Sequence, residues 1–238
     1  MTIREAMLLL PFVSDTPQGL NMWDVKPTGD ETIDVRKGRA HAAVLLHLMR
    51  RFNAPQLTFH VMTTWTDKNT GPESMKRGFL IELGKAIIAA PSEGATWLGH
   101  DAMPPRVALA QREALLGLPF VVERGDGTLD CWAVRPRGDY SEDGAAGRFY
   151  GARLCHAIRA ARDPLLLAHV TRSTCDKSVD SSKDMAIRVG MAHVVTEVAM
   201  SSGETSTAYQ ECGLPLLDEY AREAGKDLAA LAPVRTGS

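Results

Sequence analysis

The sequence predicts a predominantly helical α+β protein with a small antiparallel hairpin and few strands. Several long segments carry apolar residues at the spacing of an amphipathic helix, and only a few short segments have strand or turn signatures. The strand–helix alternation of a doubly wound sheet is missing. No internal repeat is apparent, so we expect a single compact domain over residues 1–238. Any subdivision should fall near residues 119–137, between an N-terminal α/β part and a C-terminal helical part.

The N-terminal third predicts two helices separated by an irregular segment. A capping-box pattern at the start indicates a short helix that ends at about Leu10. Residues 13–33 are rich in Pro and Gly, and we expect a loop anchored to the core by Trp23. Asp34 is a suitable N-cap for a helix over residues 34–52, the clearest amphipathic pattern in the chain.

The middle of the chain predicts one strand followed by two helices. Apolar and polar residues alternate over residues 56–65, which is the period of a strand. Residues 73–90 return to helical spacing. Pro104 and Pro105 suit the first turn of a further helix, which we expect to end at Gly117.

The last half predicts a hairpin and then almost continuous helix. Residues 120–124 and 128–134 flank a Gly-Asp-Gly sequence whose glycines allow the positive φ of a tight turn. The predicted helices that follow cover residues 144–162, 164–172, 184–201 and 214–224.

Composition indicates a cytoplasmic protein with no membrane segment. Apolar residues make up 45% and charged residues 24% of the chain, which is ordinary globular usage. The N-terminal apolar run is short and interrupted by charge, so we expect no signal peptide, and no stretch suffices to span a bilayer. The four cysteines are widely spaced and form no zinc-binding pattern, so we expect reduced thiols, no metal and no cofactor.

The charge distribution suggests an anionic partner. The net charge is only −2, yet residues 35–85 contain nine Lys or Arg against three acidic residues. Two predicted helices place arginines together on one face, and a polar stretch over residues 171–184 adds further cations that could line an anion site. The candidate phosphate-contacting residues are Arg36, Arg39, Arg50, Arg148, Arg159, Arg162, Arg172, Lys177 and Lys183.

Enzymatic candidates are few. Cys155 lies among Arg148, Arg159 and Arg162 by helical spacing, and nearby cations would favour a nucleophilic thiolate if that face is exposed in a cleft. The alternative is a small cysteine buried beneath the arginine side chains or against a partner. The face opposite these arginines, which includes the aromatic pair at residues 149–150, is expected to be buried.

Two further sets of residues have spacings that suit metal binding. His193 and Glu197 are four apart on a predicted helix, a spacing that also suits acid–base chemistry. Asp176, Asp180 and Asp184 recur every four residues but do not form a calcium-loop pattern. Nucleotide-binding glycine loops, nucleophile elbows and zinc-protease signatures are all missing from the sequence.

These observations favour a non-catalytic nucleic-acid-binding protein, or a subunit of a nucleoprotein assembly, that contacts the phosphate backbone of DNA or RNA. One alternative is an enzyme acting on a small anionic substrate, with Cys155 or the pair His193 and Glu197 in its site. The other is an adaptor whose arginines bind an acidic protein.

Overall fold

The computed structural model describes residues 3–66, 71–91, 111–176 and 183–202. It confirms a predominantly helical α+β fold with small antiparallel strand pairs. The chain divides into two compact units, of which the first covers Met1–Leu83 and the second Gly84–Gly203. The single-domain expectation stays a prediction. The hairpin region near residues 119–137, where we expected any subdivision, lies within the second unit.

The two halves of the chain contain the same elements in the same order. In the first half of the chain these are α1 (Ile3–Met7), β1 (Ser14–Thr16), β2 (Gly19–Asn21), α2 (Glu31–Phe52), α3 (Leu57–Thr63) with a 3₁₀ turn (Thr64–Thr66), and α4 (Glu73–Ala89). In the second half they are α5 (Gln111–Leu116), β3 (Val122–Glu123), β4 (Leu129–Asp130), α6 (Tyr140–Ala161), α7 (Leu165–Asp176) and α8 (Met185–Met200). Each strand pair is an antiparallel hairpin, with Ser14 opposite Asn21 in one and Val122 opposite Asp130 in the other.

The matching order reflects an internal sequence repeat, so the expectation of no repeat is wrong. Residues 3–13 read IREAMLLLPFV and residues 111–121 read QREALLGLPFV. The correspondence continues through the hairpins, where the second copy carries one extra residue, and into α2 and α6. Most of the shared residues beyond this stretch are widely spaced and separated by divergent ones, so composition and hydropathy alone do not show the repeat.

The shared acidic residues form the same contacts in both copies. Asp30 and Asp139 are the N-caps of α2 and α6, and each side chain accepts a backbone N–H of the first turn. Asp34 and Asp143, one turn later, are buried and accept backbone N–H groups from the loop that precedes each helix. The prediction that Asp34 is the N-cap is therefore wrong: the N-cap is Asp30, one turn earlier, and the carboxylate of Asp34 orders the preceding loop.

Glycines set the packing of the long helices. A Cβ atom on Gly38 of α2 would overlap the backbone of Met75 on α4, and one on Gly147 of α6 would overlap the backbone of Ile187 on α8. Gly144, one turn before Gly147, has no other heavy atom closer than 3.9 Å to the place of its Cβ. In each unit the repeat therefore brings two helices to backbone contact at a glycine.

An aromatic cluster fills the core of the first unit. The rings of Trp23 and Trp65 have centroids 5.1 Å apart, and Phe79 lies 5.2 Å from Trp65. The ring of His41 packs 4.9 Å from Phe12 in a tilted arrangement. The Trp23 anchor predicted from the sequence is thus confirmed, since its side chain is only 2% exposed.

Residues 56–65 form a helix and a 3₁₀ turn, so the predicted strand is wrong. The buried residues there are Leu57, Thr58, Val61 and Trp65, which are spaced as on a helix. The alternation of apolar letters was coincidental, because Phe59 is only half-buried.

The other predicted helices and the predicted hairpin agree with the structure apart from their ends, whereas residues 13–33, predicted to be irregular, contain the β1–β2 hairpin. The helices near residues 73–90, 144–162 and 184–201 and the hairpin near residue 125 are confirmed. The first helix is shorter than expected, and α7 continues through Asp176 into the predicted polar loop. The helix predicted over residues 214–224 and the start predicted at Pro104 and Pro105 lie outside the described residues.

Candidate functional site

Two of the three α2 arginines predicted to contact phosphate already interact with other residues of the protein. Arg39 donates its Nε to a carboxylate oxygen of Glu82 on α4 at 2.9 Å, and Glu82 is only 5% exposed. Arg50 is half-buried and interacts with another residue of the protein. Arg36 is exposed and has no ion pair within the described chain. Of the three predicted contacts on α2, only Arg36 presents an uncommitted guanidinium.

The predicted face of α6 around Cys155 is not a solvent-facing site. Cys155 is fully buried, and this burial raises the pKa of its thiol to about 12, although the charge of Arg159 acts in the opposite direction. Arg159 is half-buried, and its Nε donates to the backbone carbonyl of Ile87 at 2.9 Å. This contradicts the thiol activation that the flanking arginines suggested, because the thiol stays protonated at neutral pH.

Three of the predicted arginines in the second unit face solvent. Arg148 is exposed on α6, Arg172 is exposed on α7, and Arg162 is the exposed C-cap of α6. The backbone of Arg162 has a φ of 52°, in the left-handed region, as does its counterpart Asn53 at the end of α2.

The predicted polar loop over residues 171–184 contributes less than expected. Thr174 is buried within α7 and donates its hydroxyl to a carbonyl of the preceding turn. Lys183 is exposed but already interacts with another residue of the protein. Lys177 and Asp180 lie outside the described residues.

Asp184 has a structural environment, because it is only 8% exposed and accepts the indole N–H of Trp132 at 2.6 Å. It also pairs with Arg188, whose Nη2 donates to the same carboxylate at 3.0 Å. A carboxylate with these two partners is poorly suited to be a metal ligand in the series with Asp176 and Asp180.

His193 and Glu197 form a surface pair on α8. The two side chains are 3.1 Å apart, and each is close to half exposed. Within residues 3–66, 71–91, 111–176 and 183–202, no group of three or more His, Cys, Asp or Glu side chains could hold a metal ion. The pair therefore has no third ligand among those residues.

The structure adds two residues that the sequence interpretation missed. Phe149 is 55% exposed, and Arg153, one helical turn later on the same face of α6, is exposed as well. We expected Phe149 to be buried with Tyr150, but the buried face of α6 is centred on the glycines, as shown by Gly147 and Gly151. Glycine carries no hydropathy signal, so the buried face inferred from hydropathy was displaced toward the aromatic residues.

The positive charge on this face is insensitive to pH near neutrality. His156 follows Arg153 on α6, and its pKa is lowered by burial first and then by the charges of Arg153 and Arg159. The imidazole is therefore neutral at physiological pH, and arginine provides the charge.

Apart from Arg51, which interacts elsewhere in the chain, the exposed arginines of the described chain fall into two sets. One set pairs with carboxylates, mostly beside the hairpins and the helix N-termini: Arg4 with Asp15, Arg77 with Glu31, Arg112 with Glu123, Arg124 with Asp130, and Arg137 with Glu142. The other set forms no ion pair with any side chain that the structure describes: Arg36, Arg135, Arg148, Arg153, Arg162 and Arg172. Four members of the second set lie on α6, its C-cap or α7.

No family model, curated protein or solved structure matches this chain. None of the helices in the described part of the chain has the length and hydrophobicity needed to cross a bilayer.

Proposed function

We propose that this protein binds nucleic acid through the arginines of α6 and α7, contacting the phosphate backbone. The observation that carries the proposal is the separation of paired and unpaired arginines described above. Arg148, Arg153, Arg162 and Arg172 are exposed and have no carboxylate partner among the side chains that the structure describes. Guanidinium groups bind phosphate through parallel hydrogen bonds and are easily desolvated, so these side chains suit a polyanion.

The local sequence keeps α6 free of acidic residues beyond its first turn. Residues 144–162 contain no Asp or Glu. Asp163, which follows, accepts hydrogen bonds from the side chain of Gln111 and from a backbone N–H of α7. The corresponding residues 35–66 of the first repeat also contain no acidic residue. In both copies the long helix therefore carries arginines and, beyond its first turn, no acidic residue.

The spacing of the arginines suits an extended ligand. Arg148 and Arg162 are fourteen residues apart, which corresponds to roughly 21 Å along a helix at about 1.5 Å per residue. A small anion would engage one of them, whereas a phosphate backbone would reach both. This argument favours a polymer over the small anionic substrate of the enzyme hypothesis, whose candidate Cys155 is buried and protonated.

Binding of labelled single-stranded and duplex oligonucleotides, measured by fluorescence anisotropy across a salt series, tests the proposal. We expect the association constant to fall as salt rises, because phosphate contacts release counterions. Replacing Arg148 and Arg153 together by Gln should reduce the slope of log K against log salt by roughly 1.4 to 1.8, at about 0.7 per contact on single strands and 0.9 on duplex.

The matched control removes two paired arginines from the same unit. Arg124→Gln with Arg137→Gln deletes the same formal charge, but both side chains already pair with carboxylates. This control should leave the slope nearly unchanged. Equal losses in both double variants, or no salt-dependent binding by the parent, would refute the proposal. Displacement of the oligonucleotide by polyglutamate at equal charge would instead favour the acidic-protein adaptor.

A cytoplasmic location and membership of a nucleoprotein complex are parts of the same proposal. The buried cysteines Cys131 and Cys155 are free thiols. Free thiols are usual in reducing compartments, where nucleic acid is also present.

A further inference from the structure

The exposed ring of Phe149 is the starting point of a more specific inference. This side chain is 55% exposed in the middle of α6, where Ala145 and Ala146 occupy the preceding turn. The ring of Tyr150 lies beside it with centroids 6.0 Å apart. One face of the Phe149 side chain is thus available on a surface of small residues, flanked by Arg148 and, one turn later, by Arg153.

The fold does not require an aromatic residue at this position. The equivalent residue in the first repeat is Ala40, which is fully buried, and α2 has the same length as α6, an Asp N-cap and a left-handed C-cap. An exposed phenylalanine buries little apolar surface and so adds little to stability. Its presence in one repeat only indicates a role particular to the second unit.

We infer that the surface formed by Arg148, Phe149 and Arg153 takes single-stranded nucleic acid, with a base stacked on Phe149 and the adjoining phosphates on the two arginines. This inference rests on the proposed function. In a duplex the faces of the bases are covered by their neighbours, so only a single strand offers a base to an aromatic ring on a helix surface.

The local geometry fits one nucleotide. Phe149 and Arg153 are four residues apart on one face of α6, so their Cα atoms differ by about 6 Å along the helix axis. Arg148 directly precedes Phe149 in the sequence and so flanks the ring on the side away from Arg153. Stacking is tolerant of base identity because every base has a π-face, so we expect little sequence preference.

The test compares a single-stranded oligothymidylate with a duplex of the same length, using the full chain. Phe149→Ala should weaken binding to the single strand by about 5- to 150-fold, the range measured for loss of one base–aromatic stack, and should leave duplex binding unchanged. Leu165→Ala is the matched control, because Leu165 is also an exposed apolar residue of the second unit, at 37% exposure. It should change neither affinity.

A second variant gives a direct readout of stacking. Phe149→Trp should retain single-strand binding, and its fluorescence should be quenched by oligothymidylate in excess of any quenching seen in the parent. The inference is overturned if Phe149→Ala weakens single-strand and duplex binding equally, if it weakens neither, or if Phe149→Trp shows no added quenching. In all three cases salt-dependent binding by the parent would still support the proposed function, whereas its absence would refute both.

Discussion

His41 should make the first unit sensitive to acid. The ring packs between Phe12, at 4.9 Å, and Trp23, at 6.0 Å, and the residue is only 8% exposed. Its Nδ1 has no hydrogen-bond partner in the described chain. Burial, with a smaller contribution from the charge of Lys37, lowers the pKa of His41 to about 4. The folded protein therefore holds a neutral imidazole in a site that cannot solvate the cation.

The sign and size of the effect follow from proton linkage. An unfolded histidine has a pKa of about 6.5, so between about pH 6.5 and pH 4 the unfolded chain binds more protons than the folded one. The contribution of neutral His41 to the free energy of unfolding is present above pH 6.5 and is lost as the pH falls toward 4. At about 1.4 kcal/mol per pH unit, the loss at pH 4 is about 3 kcal/mol.

The second repeat supplies the substitution that isolates this effect. Tyr150 occupies the position of His41, and its ring lies 5.1 Å from Phe120 at 52°, compared with 4.9 Å and 50° for His41 on Phe12. His41→Tyr should keep the packing and remove the titration. Urea unfolding followed by circular dichroism from pH 7 to pH 4 measures the free energy for each protein, and the parent should lose about 3 kcal/mol more than the variant.

Two results would refute the reasoning about His41. One is a pair of pH profiles that run parallel for the parent and the variant. The other is a difference already complete at pH 6, which would mean that folding lowers the pKa of His41 only slightly. His41→Phe, which lacks the hydroxyl group, repeats the comparison if the tyrosine disturbs folding.

The remaining predictions concern packing and the thiol. Gly147→Ala should lower the free energy of unfolding by at least about 2 kcal/mol because its Cβ would overlap α8, whereas Gly144→Ala should be neutral or stabilising; equal effects in urea unfolding would contradict the close approach. Asp184→Asn should cost about 3 kcal/mol and alter the near-ultraviolet signal of Trp132, and an unchanged stability would argue against the buried pair. Cys155 should resist alkylation at pH 8 until the protein unfolds, as peptide mapping can show; modification at equal rates in native and unfolded protein would disprove its burial.

Local patterns in the sequence were enough to predict most helices and the second hairpin. The period of apolar residues in α2, α4 and α8 is encoded within each segment, and glycines mark the turn of the second hairpin. The same local method failed at residues 56–65, where apolar alternation over a few residues also fits a helix. The repeat held the missing information, since the equivalent residues 165–174 show helical spacing clearly.

The candidate site depended much more on tertiary contacts. Arginines that look equivalent in the sequence differ in their neighbours, since Arg39 pairs with Glu82 across two helices whereas Arg148, the equivalent residue in the second repeat, is exposed and unpaired among the described residues. The position equivalent to Glu82 in α8 is Val194, which cannot form that pair.

The sequence by itself therefore determined the helical α+β class, the order of most elements and the accumulation of arginine on the helices, because these depend on residue type and short-range spacing. The tertiary structure decided which arginines remain available, and it turned Cys155 inward and Phe149 outward on α6. The physical reason is that the buried face of α6 is defined by close backbone contact at Gly147, and such a contact appears only when α8 is in place.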